Sequence, residues 1–63
     1  MSANYFTILI DNRPTQFEKN RVLSIEPDEI GTKILIEASH VDEEPIVFFT
    51  SESYENVIKS YLK

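Results

Sequence analysis

Residues 51–63 read Ser51-Glu52-Ser53-Tyr54-Glu55-Asn56-Val57-Ile58-Lys59-Ser60-Tyr61-Leu62-Lys63. Tyr54, Val57, Ile58, Tyr61 and Leu62 fall at i, i+3, i+4, i+7 and i+8, which gathers them into one apolar stripe on a helix. Ser51 suits the N-cap, and Glu52 and Glu55 then bring negative charge to the first turn, where the helix dipole favours it. Glu55 and Lys59 are four apart in the favourable order, and Lys59 and Lys63 suit the C-terminal end. This segment predicts the one helix of the chain, and everything before it reads as strands and turns.

Residues 4–10, Asn4-Tyr5-Phe6-Thr7-Ile8-Leu9-Ile10, are rich in aromatic and β-branched types and predict a strand. Phe6, Ile8 and Ile10 point one way, with Tyr5, Thr7 and Leu9 opposite. Asp11-Asn12-Arg13-Pro14 reads as a turn. A second strand is expected from about Thr15 to Ile25, bending near Lys19-Asn20, with Phe17, Leu23 and Ile25 in phase and Val22 opposite. Pro27-Asp28-Glu29-Ile30-Gly31 predicts a turn, with Gly31 the natural place for a positive φ. A third strand, Thr32–Ala38, puts Ile34, Ile36 and Ala38 on one face and Lys33, Leu35 and Glu37 on the other. After the polar loop 39–45, the apolar run Ile46-Val47-Phe48-Phe49-Thr50 is short enough for a buried strand.

The expected architecture is therefore α+β: an antiparallel sheet of about four strands in meander order, with one C-terminal helix packed on one face. The helix stripe should cover Phe6, Ile8, Ile10, Ile34, Ile36 and part of the fourth strand. The opposite face would then hold Tyr5, Leu9, Val22 and Leu35, with one of the pairs Val47/Phe49 or Ile46/Phe48. One helix cannot cover both faces. The bare face predicts self-association or a protein ligand, with Tyr5, Leu9, Val22 and Leu35 as the candidate interface.

A single domain of 63 residues has little interior. At this size only ~60% of the unfolded chain's surface is buried, so small domains often add disulfides, metals or oligomerisation. Cysteine is absent and His40 is the sole histidine, which excludes disulfides and a structural zinc site. Oligomerisation is what remains. The absence of cysteine fits a reducing compartment. The start, Met1-Ser2-Ala3-Asn4-Tyr5-Phe6, lacks a basic region and a long apolar core, so no signal peptide is expected, nor any membrane span. A cytoplasmic protein is expected.

The net charge of −5 is unevenly spread. Residues 26–55 carry nine acids against Lys33 alone, while residues 1–25 carry Arg13, Lys19 and Arg21 against Asp11 and Glu18. An acidic body repels phosphate, which argues against nucleic acid as a partner. Asp42, Glu43 and Glu44 form a candidate acidic surface for a basic partner protein. The same residues beside His40 lack the preorganised spacing of a cation site. Asp28 and Glu29 read as turn residues and Ser51 as a cap, so no activated nucleophile or acid–base pair stands out. No enzyme activity, metal or cofactor is expected.

Three stretches, Val22 to Ile25, Gly31-Thr32-Lys33-Ile34-Leu35-Ile36 and Ser51 through Ile58, resemble small flagellar-operon proteins of the FlbD/SwrD type. They are also similar to short proteins of bacteria and phages built as a β-meander plus helix. The chain departs from that pattern in its longer, more acidic loop 39–45 and in having Asn12-Arg13-Pro14 where an Asn-Gly turn is usual. The resemblance implies a small non-catalytic protein of this fold and transfers no catalytic residue. The leading expectation is an interaction module, an adaptor or modulator that associates with itself and with another protein. The alternative is an acidic inhibitor or nucleic-acid mimic of phage or mobile-element type, occupying a basic groove.

Overall fold

The computed structural model describes residues 4–63, and the reading of Met1-Ser2-Ala3 as no part of a leader lies outside them. The fold is a small α+β one, with two antiparallel sheets and a C-terminal helix. Strands β1 (Tyr5–Ile10) and β2 (Arg13–Glu18) form a hairpin. Strands β3 (Val22–Pro27), β4 (Thr32–Ile36) and β5 (Ile46–Thr50) form a second sheet in the order β3-β4-β5. Helix α1 (Tyr54–Leu62) follows.

This corrects the expectation of one four-stranded sheet. The stretch expected to bend near Lys19-Asn20 breaks there into a single 3-10 turn, Lys19–Arg21, and its halves join different sheets. The turn is held at both ends. The Lys19 N–H donates to Asn4 C=O at 2.8 Å, and the Glu37 N–H donates to Arg21 C=O at 2.8 Å.

The first hairpin closes through Asp11 and Asn12, both left-handed with φ of 52° and 64°. Two such residues make the turn whose twist matches the flanking strands, and Asn and Asp tolerate that region. Gly31 serves a different purpose from the one expected, since its φ is not positive. A Cβ there would lie 2.5 Å from Thr50 O, 2.7 Å from Glu52 O and 2.8 Å from Ser51 C. Glycine is needed because the chain leaving β5 passes directly over it.

The core is Phe6, Ile8, Phe17, Ile34, Ile36 and Val57. The expected inward positions of β1 and β4 are thus confirmed. Phe6 stacks edge-on against Tyr61 at 5.4 Å and lies 5.7 Å from Phe17, which meets Phe48 edge-on at 5.0 Å. These aromatics tie hairpin, second sheet and helix into one interior. Val57 is fully buried and Ile58 and Tyr61 half-buried, whereas Tyr54 and Leu62 at the ends of the stripe stay exposed. The helix packs on β1 and β3.

Two local expectations shift. The N-cap is Ser53, whose Oγ accepts from the Asn56 N–H at 3.1 Å, so the helix begins two residues later than Ser51 implies. The phase of β3 also changes. A bulge between Val22 and Ser24 turns Val22 onto the core and leaves Leu23 exposed, after which Ile25 again faces inward. An extra residue in one strand reverses the alternation.

Candidate functional site

The four residues expected to share a bare face are not brought together. Tyr5 and Leu9 lie on the outer face of the hairpin, Leu35 lies on the three-stranded sheet, and Val22 packs against the core. Splitting the sheet splits the face.

The hairpin's outer face is mixed. Tyr5 stands opposite Glu18, Thr7 opposite Gln16 and Leu9 opposite Pro14. The outer face of the second sheet is segregated instead. On its β3 side, Lys33 Nζ sits 3.6 Å from Glu26 Oε1, and Ser24 Oγ donates to Glu26 Oε2 at 2.9 Å. On its β5 side, Leu35 stands directly opposite Val47, with Phe49 next on the same face, opposite Lys33. Val47 and Phe49 are 45% and 51% exposed. Of the two pairs left open by the sequence, Val47/Phe49 is the outward one, while Phe48 reaches the core.

The run 46–50 was expected to be buried; it is an edge strand. Only Thr50 is fully buried in it. Length and hydrophobicity alone do not distinguish a central strand from an edge.

A knot of hydrogen bonds that local pattern could not reveal positions β5. Thr50 Oγ1 donates to Leu9 C=O at 2.6 Å and accepts from the Glu52 N–H at 3.1 Å. The Glu52 carboxylate accepts the Leu9 N–H at 2.8 Å, and Glu52 C=O accepts Thr32 Oγ1 at 2.8 Å. Thr32 and Thr50 are paired across β4 and β5, and both are buried. Facing threonines at one end of two apolar strands were the available signal. Every buried side-chain polar atom among the described residues has a partner.

Asp42, Glu43 and Glu44 are exposed in one loop. His40 Nε2 lies 3.7 Å from Glu43 Oε1, with both side chains well exposed, so the pair adds little. Among the described residues no group of three or more His, Cys, Asp or Glu is placed to hold a metal. Lys19, Arg21 and Lys63 come together at the 3-10 turn, apart from Arg13. Lys19 Nζ donates to Lys63 C=O at 2.6 Å and Arg21 to Glu37 C=O at 3.0 Å. Arg13 stands at the other end of β2, ~17 Å from Glu18 at ~3.4 Å per residue. Among the described residues no helix is long and apolar enough to cross a membrane.

Comparison of the chain with known protein families, with characterised proteins and with solved structures finds no match in any of the three. The likeness to small flagellar-operon proteins rests on the residues quoted for it.

Proposed function

We propose that this chain is a small, non-enzymatic interaction module that associates with itself through the outer face of β4 and β5, at Leu35, Val47 and Phe49. The observation that carries this reading is the segregation of that face. Its charged and polar groups satisfy one another along β3, leaving the apolar side chains together beside an edge. Water gains nothing from contact with such a patch, and a second surface that covers it recovers ~25 cal/mol per Å2 of apolar area buried. A domain this small, with six buried core side chains among the described residues, has little stability to spare, and association would add to it. A further protein partner, as for an adaptor, would use the same face.

The acidic-mimic reading has less support. It needs carboxylates gathered over one exposed surface, but Asp28 and Glu29 lie in the turn at one end of β4 and Asp42, Glu43 and Glu44 in the loop at its other end.

Adjacent residues of β4 provide the test. Leu35→Glu places a carboxylate on the proposed face, whereas Ile36→Glu buries one in the core. An unpaired buried charge costs several kcal/mol, comparable to the ~3–9 kcal/mol available to a domain of this length. Circular dichroism should show Leu35→Glu folded and Ile36→Glu unfolded, and light scattering should show Leu35→Glu with reduced mass. A Leu35→Glu protein that is folded and still associates to the same extent would contradict the reading.

A further inference from the structure

We propose that two copies pack face to face through the outer surface of β3, β4 and β5, about a twofold axis that crosses the strands at Leu35. This rests on the self-association reading and names the geometry of the pair.

The outer side chains stand in two rows. Glu26, Lys33 and Phe49 lie side by side on β3, β4 and β5, and Ser24, Leu35 and Val47 form the next row. The ladder runs one residue past β4, where the Glu37 N–H donates to Arg21 C=O. Lys33, Leu35 and Glu37 therefore follow one another along β4 on this face. The surface varies in two directions. Across the strands it passes from polar on β3 to apolar on β5. Along β4 it passes from a cation, through Leu35, to an anion.

Two copies of such a face, stacked as the layers of a sandwich, are related by a twofold axis lying between them. That axis runs either along the strands or across them. An axis along β4 exchanges the outer strands. It sets Glu26 and Ser24 against the partner's Phe49 and the partner's Val47, and Lys33 against the partner's Lys33. An axis across the strands keeps β5 on β5 and reverses the order along each strand. Val47 then meets the partner's Val47, and Leu35 meets the partner's Leu35. Lys33 meets the partner's Glu37, and Glu37 meets the partner's Lys33. Within one chain Lys33 and Glu37 cannot pair, because four residues of strand hold them ~13 Å apart. Apolar matching and charge matching thus select the same axis.

Shape agrees with that choice. Phe49 stands half exposed at one end of the face. At the other end a hollow of about 210 Å3 lies among Leu23, Glu37, Ala38, Val41 and Pro45. The crossing axis carries the partner's Phe49 toward this hollow, whereas the axis along the strands carries it to β3.

The acids at the ends of the face do not choose between the axes. Asp11, Asp28 and Glu29 lie toward the Phe49 end and Asp42, Glu43 and Glu44 toward the other, so either axis brings acid near acid. These side chains are exposed. At ~0.15 M salt, exposed charges more than ~8 Å apart are largely screened.

The test is dimerisation measured by sedimentation equilibrium near that salt concentration. The samples are the unmodified chain, Lys33→Glu, Glu37→Lys and an equimolar mixture of the two variants, each checked for folding by circular dichroism. Each variant alone should dimerise roughly tenfold more weakly, since two attractive contacts become repulsive. The mixture should recover the strength of the unmodified chain, because both contacts are again between opposite charges. Glu37→Lys is the decisive variant. Replacing −1 by +1 brings the net charge from −5 to −3, which would strengthen any association limited by general repulsion. If the unmodified chain dimerises and Glu37→Lys does so equally or better, the crossing axis is overturned and self-association stands. A mixture that binds more tightly than the unmodified chain would point to the axis along the strands and overturn the proposal. Variants that are weakened and not recovered by mixing would overturn the contact between Lys33 and the partner's Glu37. An unmodified chain that is monomeric at every concentration would overturn the self-association reading itself.

Discussion

Strands β2 and β5 are both edge strands, and each places one aromatic, Phe17 or Phe48, in the same interior contact. They differ in everything else. Strand β2 is set by its own neighbourhood: a two-residue turn of left-handed Asp11 and Asn12 fixes its register, and Arg13, Pro14 and Glu18 protect its edge. Strand β5 is set from a distance. Its far end is anchored by Thr50 and Glu52 to Leu9, more than 40 residues away, and by the chain crossing over Gly31. Its own residues, Ile46–Thr50, carry neither a charge nor a proline. The lesson is that where tertiary contacts position a strand, its local composition is free for another purpose, and here that composition is uncharged and apolar.

Breaking the anchor should produce the largest effect on the β5 side. In Gly31→Ala the new methyl meets only backbone, at 2.5–2.8 Å, so the chain from Thr50 to Glu52 has to move. Overpacking of this kind costs ~1–3 kcal/mol or more, and each kcal/mol shifts Tm by roughly 4–8 °C in a domain this small. Thermal unfolding should show a drop of that order. An unchanged Tm would mean that the crossing is looser than the geometry indicates.

Thr50→Val keeps the side chain's size and removes its hydroxyl. Leu9 C=O loses its donor and the Glu52 N–H its acceptor, which costs ~1–3 kcal/mol for groups left partly buried. The matching change on β2, Thr15→Val, should cost much less, because Thr15 Oγ1 contacts only the nearby Arg13 C=O at 3.1 Å. Denaturant titration of the two variants compares the strands directly, and equal losses would remove the contrast between distant and local anchoring.

Ser53→Ala should cost ~1 kcal/mol through the lost cap on the Asn56 N–H. Ser51→Ala should cost a fraction of that, since Ser51 precedes the cap and is exposed. The reverse order would move the helix start back to where the sequence pattern alone puts it. Smallest of all, Val47→Thr, an exchange of nearly equal size at a half-exposed position, should change monomer stability by no more than ~0.5 kcal/mol.

How far the fold could be read from the chain follows the same division. The periodicity of Phe6, Ile8, Ile34 and Ile36 identified the inward faces, and the stripe at Val57, Ile58 and Tyr61 identified the helix, because side-chain alternation is a local property. The Asp11-Asn12 turn was legible for the same reason. The split into two sheets was not: a bend near Lys19 is visible in the pattern, but whether the chain continues in one sheet or starts another depends on contacts elsewhere. The displaced cap was hidden too, because Ser51 and Glu52 are committed to passing Gly31 and reaching Leu9. Of the candidate interface, Leu35 lies on the apolar outer face with Val47 and Phe49, Tyr5 and Leu9 are exposed on the other sheet, and Val22 was turned inward by a bulge that no residue type announces.

Self-association is the central claim, and sedimentation equilibrium of the unmodified chain across the micromolar range tests it most directly. The account predicts a concentration-dependent rise from the 7.3 kDa monomer to a species of at least twice that mass. A single 7.3 kDa species at every concentration would contradict it.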